Sequence, residues 1–333
     1  MKPEITEKSV QALIGNLGKL KSEIGKVIVG QNEIIDQLLI TFLAGGHALL
    51  EGVPGLAKTL MIRTLSDAID LRFRRIQFTP DLMPTDIIGT ETLEEDHTTG
   101  KRIFKFNRGP IFANIILADE INRTSPKTQS ALLEAMQEFE VTYAGATYKL
   151  EKPFFILATQ NPIEQSGTFP LPEAQLDRFL LYIKVTYPTA AEEVSILEST
   201  TGRKKNDITK VIDGAQILEA QNLVREVHIN SDLVEWVSRI VRATRAEQSE
   251  NTYVNEWVRW GAGPRAGQAI ILTAKARALL NGNFSVTEED IRHVAYPVLR
   301  HRILMNFKAE AEGVTSTDVT SHLLSTIHLK KSI

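Results

Sequence analysis

The sequence predicts an α/β protein built on a parallel sheet, followed by a helical domain. Through the first half of the chain, short apolar runs that end in turn residues alternate with stretches of helical periodicity. This pattern is typical of a parallel sheet that helices cover on both faces. After Pro188 the apolar runs stop, whereas helical patterns continue. We therefore predict two domains, residues 1–187 and 188–333.

Five apolar runs predict the strands of the sheet. Each run is short, consists mainly of residues that are typical of buried strands, and is followed by turn residues. The runs are Ala48–Leu50, Phe73–Phe78, Ile115–Ala118, Phe154–Ala158 and Leu180–Val185. Polar and apolar residues alternate around Gly100 and Gly145, which predicts two hairpin inserts, near 86–108 and 139–152.

Apolar residues at helical spacing predict the helices. In the first domain the predicted helical stretches are 6–24, 34–42 and 125–138. In the second domain they are 215–227, 232–246, 264–281 and 287–304.

Composition indicates an ordinary globular protein of 333 residues, with 43% apolar and 24% charged residues. The 38 basic and 41 acidic residues give a net charge of −3, so no basic excess points to nucleic acid. The absence of cysteine excludes a disulfide scaffold, a thiolate zinc site and a cysteine nucleophile. The apolar stretch Leu38–Leu50 is too short to span a membrane. We therefore expect a soluble, cytoplasmic protein without a membrane span.

The segment after the first predicted strand has the spacing of a Walker A phosphate loop, G-x-x-x-x-G-K-[ST], with one departure. It consists of Gly52, Val53, Pro54, Gly55, Leu56, Ala57, Lys58 and Thr59. The N–H groups of such a loop surround phosphate oxygens at a helix N-terminus, whose dipole favours anions. We expect Lys58 to reach the β- and γ-phosphates and Thr59 to bind Mg²⁺. Ala57 replaces the second glycine, and we expect it to keep helical dihedral angles so that the loop closes.

Two carboxylates, Asp119 and Glu120, follow the third predicted strand. A buried strand brings them to the carboxyl edge of the sheet, where the phosphate loop also lies. Asp119 is expected to hold Mg²⁺, either directly or through water, and Glu120 to act as general base toward the attacking water. Together the two motifs predict nucleotide hydrolysis. ATP is favoured over GTP, since no Asn-Lys-x-Asp segment occurs to recognise guanine.

Three further polar residues each allow a functional and a structural interpretation. Asn161 follows the fourth strand, where it would orient the attacking water or contact the γ-phosphate, or would simply form a turn. Arg178 lies beside Asp177, which by itself is typical of a surface ion pair. Arg265 stands at the start of a predicted helix and, taken alone, indicates nothing specific.

Seven stretches, in this order, resemble the MoxR group of AAA+ ATPases over nearly the whole chain. They are Val29–Gln31, Gly52–Thr59, Arg75–Gly89, Gly109–Arg123, Ala158–Pro162, Leu171–Phe179 and Gly261–Ala266. The resemblance implies a P-loop AAA+ αβα core followed by an all-α lid domain. It also implies that the two hairpins are the helix-2 insert and the pre-sensor hairpin of the clade shared with magnesium chelatase and the MCM helicases.

The resemblance further implies roles for single residues. Gln31 lies in the segment that lines the adenine pocket, and Asn161 corresponds to sensor 1. Arg178 corresponds to the arginine finger supplied to a neighbouring subunit, and Arg265 to sensor 2 on the lid. Proteins of this group form hexameric rings and resemble chaperones that use ATP to mature or activate client proteins, often with a von Willebrand factor A partner.

Two other functions remain open at this point, an MCM-like DNA motor and a scaffold that binds nucleotide without turnover. The net charge of −3 and the lack of a basic domain argue against DNA, and the cluster Lys101, Arg102, Lys105 and Arg108 is interpreted as a solvated hairpin face. The intact pair Asp119 and Glu120 argues against a scaffold.

Overall fold

The structure is a computed structural model that describes residues 7–53, 56–95, 102–162, 167–201, 207–246 and 249–330. The strands are β1 (Ala48–Glu51), β2 (Phe73–Gln77), β3 (Gly89–Glu95), β4 (Arg102–Arg108), β5 (Ile115–Asp119), β6 (Glu140–Tyr143), β7 (Ala146–Lys149), β8 (Phe155–Gln160), β9 (Leu181–Lys184), β10 (Val258–Trp260) and β11 (Leu304–Met305). The helices of the first predicted domain are α1 (Glu7–Val27), α2 (Asn32–Leu43), α3 (Lys58–Ile69), α4 (Pro84–Ile88), α5 (Pro126–Glu138) and α6 (Glu173–Leu176). Those of the second are α7 (Ala190–Thr201), α8 (Gly214–Glu226), α9 (Ser231–Ala243), α10 (Thr252–Trp257), α11 (Pro264–Leu280), α12 (Glu288–Leu299), α13 (Phe307–Glu312) and α14 (Ser316–Thr326).

The five predicted strands form one parallel sheet in the order β2-β5-β8-β1-β9, which confirms the predicted fold class. Alternate residues of β5 enter different hydrophobic clusters. Ile115 and Leu117 pack with α1, α2 and α3, whereas Ile116 and Ala118 pack with α5. The sheet is therefore the middle of three layers, and β5 is buried along its whole length.

The two predicted hairpins are both present as antiparallel strand pairs, β3 with β4 and β6 with β7. The turn of the first hairpin lies outside the described residues, between Glu95 and Arg102. At its base Gly89 has a φ of +111°, and a Cβ there would come within 2.1 Å of the Asn107 carbonyl oxygen. Only glycine allows the two strands to close so tightly at this point.

The lid helices pack against the first domain without a break in the hydrophobic core. Helix α11 contacts α8, α9 and α12 within the lid and also α2 of the first domain. The lid also contains the short antiparallel pair β10–β11, which the sequence analysis did not predict because strands of three and two residues carry no periodicity. Helix α12 ends at Leu299, earlier than predicted, because the chain from Arg300 onward turns back toward β9.

Among the described residues, no helix is both long enough and apolar enough to cross a membrane.

Candidate functional site

The carboxyl ends of four strands meet at one edge of the sheet. In the parallel register Glu51 lies opposite Gln160, Ala118 opposite Ala158, and Gln77 opposite Asp119. The phosphate loop, the acidic pair and Asn161 follow β1, β5 and β8 at this edge. The structure therefore brings the described part of the phosphate loop, the acidic pair and Asn161 to one edge of the sheet.

Lys58 is the first residue of α3, and its Nζ donates a hydrogen bond of 2.7 Å to the Gly52 carbonyl oxygen. This bond closes the described part of the phosphate loop on itself. Partial burial lowers the pKa of Lys58, and the nearby carboxylates of Asp119 and Glu120 oppose that shift. The lysine is thus electrostatically coupled to both acids.

The expectation that Ala57 keeps helical dihedral angles is wrong. Ala57 precedes α3 in the left-handed region, with φ 54° and ψ 20°. The chain needs this conformation to turn from the loop into the helix, and an L-residue adopts it at a cost of about 1–2 kcal/mol. Glycine would adopt it freely, which explains the usual glycine here. Of the predicted loop, Pro54 and Gly55 lie outside the described residues.

Asp119 ends the buried strand β5 and is itself buried. One carboxylate oxygen, Oδ1, accepts a hydrogen bond of 2.6 Å from the Thr159 hydroxyl. The other, Oδ2, accepts from Nε and Nη2 of Arg75, at 3.0 and 2.6 Å. Both oxygens of this carboxylate are therefore held in place, and its charge is balanced by a guanidinium.

Glu120 adopts a left-handed conformation, with φ 57° and ψ 50°, directly after the strand. Its N–H donates to the Thr159 hydroxyl at 2.9 Å. Its Oε2 accepts hydrogen bonds from Gln77 Nε2 at 2.9 Å and Arg123 Nη1 at 2.8 Å. The carboxylate is therefore held between Gln77, at the end of β2, and Arg123.

Asn161 follows β8 and is buried, so a solvated turn does not describe it. The residue before it, Gln160, accepts a backbone hydrogen bond of 3.4 Å from the Gly52 N–H. Asn161 is therefore placed next to the start of the phosphate loop.

Gln31 stands at the N-terminus of α2 in a left-handed conformation, with φ 54°. Its backbone N–H donates to Oε1 of Glu192, on the first lid helix, at 3.4 Å. Its side-chain Oε1 is buried and has no hydrogen-bond partner among the described residues. A donor group such as the amino group of adenine would satisfy this oxygen.

The donors at the carboxyl edge also fit Mg²⁺. This ion prefers oxygen ligands and is usually bound by one or two protein oxygens together with phosphates and water. The Thr59 hydroxyl lies in the first turn of α3, and Asp119 offers a carboxylate. The Thr59 hydroxyl and the Asp119 carboxylate are therefore the residues that would hold Mg²⁺, directly or through water.

Arg178 and Arg265 make their described contacts elsewhere in the structure. Arg178 follows α6 and precedes β9, and its Nη1 donates to the Leu133 carbonyl oxygen at 2.7 Å. Arg265 Nη1 lies 3.5 Å from Oδ2 of Asp177, the residue next to Arg178. Neither arginine makes a hydrogen bond or ion pair with the part of the phosphate loop that the structure describes.

The sequence analysis missed four residues that hold the acidic pair, namely Arg75, Gln77, Arg123 and Thr159. Three of them could have been found. In a parallel sheet the last residues of neighbouring strands lie side by side, so Gln77 and Thr159 flank the end of β5. Arg75 lies two residues before Gln77, on the same face of β2.

Comparison with known proteins shows the family. Residues 47–181 match the model of the ATPase family associated with various cellular activities (AAA), and residues 250–323 match an AAA lid domain. The chain is 42% identical to Chaperone MoxR1 of Mycobacterium tuberculosis over 308 residues, which cover 92% of this chain and 80% of that protein. The chain belongs to the MoxR family of AAA+ ATPases.

Other MoxR-like proteins agree with this result. YeaC of Bacillus subtilis is 41% identical over 93% of this chain and 94% of its own length. Protein MoxR of Paracoccus denitrificans is 30% identical over 86% of this chain and 88% of its own. A crystal structure from Cytophaga hutchinsonii, assigned as an ATPase, superposes with a TM-score of 0.89 at 42% identity and covers 98% of both chains.

This MoxR-family member is therefore a nucleotide-binding enzyme that hydrolyses ATP. The comparisons give no support to a DNA motor. In the hairpin, Lys105 pairs with Glu94 and Arg108 lies over the Phe112 ring, while Lys101 is outside the described residues. The domain boundary at residue 187 falls between the two matched family models and stays a prediction.

Proposed function

We propose that this MoxR-family ATPase uses ATP hydrolysis, in a hexameric ring, to remodel or mature client proteins. The observation that carries the proposal is the convergence of Lys58, the acidic pair and Asn161 at one edge of the sheet. The name of the relative Chaperone MoxR1 supports the chaperone-like role. We also propose a von Willebrand factor A partner and a cytoplasmic location, both carried over from the sequence analysis.

Each group at the carboxyl edge has one task in phosphoryl transfer to water. Gly52, Val53, Pro54, Gly55, Leu56 and Ala57 would surround the phosphates, and Lys58 would neutralise charge on the β- and γ-phosphates. Mg²⁺, held by Thr59 and Asp119 directly or through water, would supply further charge neutralisation when bound with ATP. Glu120 would take the proton of the attacking water, and Asn161 would orient that water or contact the γ-phosphate.

The adenine end of ATP would lie where α2 begins. Gln31 offers a buried side-chain oxygen with no partner among the described residues, and Glu192 brings the first lid helix to the same point. Adenine presents an amino group that can donate to such an oxygen. The base would then contact both domains.

Arg178 would act on the nucleotide of a neighbouring subunit. Strand β9 runs parallel to β1, with Leu181 opposite Ala48, so Arg178 lies at the amino edge of the sheet. The phosphate loop lies at the carboxyl edge. The four residues of β9 span about 13 Å at 3.3 Å per residue, which separates Arg178 from the loop of its own subunit.

Arg265 would act at the same subunit boundary. Its ion pair with Asp177, the residue before Arg178, supports this proposal. The sensor-2 role expected from the resemblance is therefore proposed toward the neighbouring nucleotide. Arginines at this position would stabilise charge on the transferring phosphoryl group.

Two inactive variants test this arrangement. We expect Glu120→Gln to bind ATP with turnover lowered by about 100-fold or more, because the general base is lost. Arg178→Ala should also bind ATP and be nearly inactive, because an arginine finger contributes about 10³–10⁵ in rate.

Mixing the two variants under conditions of subunit exchange should restore activity. An interface that joins an intact Glu120 to an intact Arg178 is productive, and random mixing gives up to about a quarter of wild-type phosphate release. Recovery of an untagged variant with a tagged one verifies that mixed oligomers form. Activity that stays at the sum of the separate variants would show that Arg178 does not act between subunits.

Slow ATP hydrolysis in Glu120→Gln also provides a way to capture the client proteins. Glu120→Gln, loaded with ATP, should hold client proteins that Lys58→Ala does not, because Lys58→Ala binds ATP at least tenfold more weakly and is compared at an ATP concentration that fills only Glu120→Gln. Equal recovery of proteins by both variants would argue against ATP-dependent client binding.

A further inference from the structure

We infer that the end of lid helix α12 positions Arg178 for the active site of the neighbouring subunit. Three consecutive residues, Arg300, His301 and Arg302, form what we call the lid clamp. Their side chains make hydrogen bonds to the core segment on both sides of Arg178. This inference rests on the proposed action of Arg178 between subunits, and it assigns the lid clamp as a set of positioning residues.

Arg302 makes most of the contacts. Its Nε donates to Oδ1 of Asp177 at 2.8 Å, and its Nη2 donates to the Phe179 carbonyl oxygen at 2.9 Å. Its Nη1 donates to the carbonyl oxygens of Leu180 at 3.2 Å and Val298 at 2.6 Å. The guanidinium thus joins the last turn of α12 to the residues that flank Arg178.

The other two residues of the lid clamp bind backbone carbonyl groups that follow Arg178. His301 is buried, and its Nε2 donates to the Phe179 carbonyl oxygen at 3.0 Å. Burial lowers the pKa of His301, which keeps the ring neutral. Arg300 Nη1 donates to the Tyr182 carbonyl oxygen at 2.7 Å. The segment from Asp177 to Tyr182 is therefore bound to the lid at both its ends.

A structural role alone explains these contacts poorly. Only 5% of the Arg302 side chain is exposed, and burying a guanidinium carries a desolvation cost that an apolar side chain would avoid. Five donors in a rigid fork, however, can fix several carbonyl oxygens and a carboxylate in one geometry. The arrangement therefore favours precise placement of the segment over maximal stability.

The carboxylate of Asp177 is shared by two lid arginines. Oδ1 binds Arg302, and Oδ2 lies 3.5 Å from Arg265. Asp177 immediately precedes Arg178, so a movement of the lid would move the backbone that carries Arg178. The lid of one subunit would in this way control the site of the next.

The test replaces Arg302 by lysine, which keeps the positive charge but loses the planar guanidinium and its five N–H donors. We expect Arg302→Lys to bind ATP within about twofold of wild type, because the phosphate loop of its own subunit is intact. Turnover should fall about 10- to 100-fold, the size of effect that a 1 Å misplacement produces. Asp177→Asn serves as a second variant in case Arg302→Lys does not fold. Arg277→Lys is the matched control, since Arg277 forms a buried pair with Asp290 within the lid, and it should keep wild-type turnover.

Mixing experiments separate positioning of Arg178 from general damage. Arg302→Lys has an intact Glu120, so mixing it with Glu120→Gln should restore activity toward the quarter expected for random rings. Mixing Arg302→Lys with Arg178→Ala should restore none, because both lack a working arginine at the interface. Asp177→Asn should behave in the same way.

Each outcome decides between the two proposals. The first mixture is Arg178→Ala with Glu120→Gln, and the second and third are Arg302→Lys and Asp177→Asn, each with Glu120→Gln. If the first mixture restores activity but the second and third do not, the lid clamp inference is overturned. The inference is also overturned if the mixture of Arg302→Lys with Arg178→Ala restores activity. It is overturned as well if both Arg302→Lys and Asp177→Asn unfold, because the lid clamp would then have a role in stability alone. If Arg178→Ala with Glu120→Gln fails in mixed rings, the action of Arg178 between subunits fails first.

Discussion

Thr159 is the residue whose replacement tests the architecture of the acidic pair most sharply. Its hydroxyl donates to Asp119 Oδ1 at 2.6 Å and accepts from the Glu120 N–H at 2.9 Å, and the side chain is fully buried. One small side chain thus fixes both the predicted metal-binding carboxylate and the turn that presents the predicted base. Valine has nearly the same shape but can make neither bond.

The magnitude follows from the two lost bonds. A hydrogen bond to a buried carboxylate contributes about 1.5–3 kcal/mol, and a neutral one about 0.5–1.5 kcal/mol. We expect Thr159→Val to lower the free energy of unfolding by about 2–4 kcal/mol. At about 2 °C per kcal/mol for a larger domain, the thermal midpoint should fall by about 4–8 °C.

Catalysis should suffer more than binding. The left-handed turn at Glu120 loses its anchor, and a misplacement of about 1 Å can cost about 100-fold in rate. ATP affinity should stay within about twofold, because Thr159 makes no hydrogen bond with Lys58 or with the part of the phosphate loop that the structure describes. Phosphate release, titration with a fluorescent ATP analogue and thermal unfolding measure the three quantities. Thr159→Ser, which keeps the hydroxyl, is the control and should retain most of the turnover. Wild-type stability and turnover in Thr159→Val would refute the role assigned to this hydroxyl.

Two further predictions concern binding and pH. Lys58→Ala should weaken ATP binding at least tenfold, about 1.4 kcal/mol, because the cation facing the phosphates is lost, and unchanged affinity for a fluorescent analogue would count against the loop. Burial lowers the pKa of His47 to about 4, so between pH 6.5 and 4 the unfolded chain binds a proton that the folded chain does not, and stability should fall by about 3 kcal/mol as the pH drops through that window. His47→Gln should flatten this part of a plot of thermal midpoint against pH, and an identical slope in both proteins would contradict the assignment.

The sequence predicted the elements that have a strong local signal. All five strands of the sheet and both hairpins were predicted, because apolar runs and alternation arise from burial that is regular along the chain. The phosphate loop and the pair Asp119–Glu120 were located by spacing alone. That these two motifs lie close together in the fold followed from one rule, that the carboxyl ends of parallel strands meet at the same edge of a sheet.

Other features depend on contacts that no local pattern records. The left-handed conformation of Ala57 is imposed by the turn into α3, against the preference of alanine. The pairing of Arg75 with Asp119 joins residues 44 positions apart. The early end of α12 reflects the contacts of Arg300 and Arg302 with residues more than 100 positions earlier, which override helical periodicity. Such long-range pairs become visible only once the chain is folded.

The position of Arg178 relative to a bound nucleotide shows most directly whether this arginine acts between subunits. The measurement is a structure of the Glu120→Gln oligomer with ATP and Mg²⁺, in which hydrolysis is too slow to empty the sites. We predict that Arg178 of one subunit donates a hydrogen bond to the γ-phosphate held by Lys58 of its neighbour, with Arg302 still bound to Asp177. Contact of Arg178 with the nucleotide of its own subunit, or a γ-phosphate that no arginine of the adjacent chain reaches, would contradict the proposed action of Arg178 between subunits.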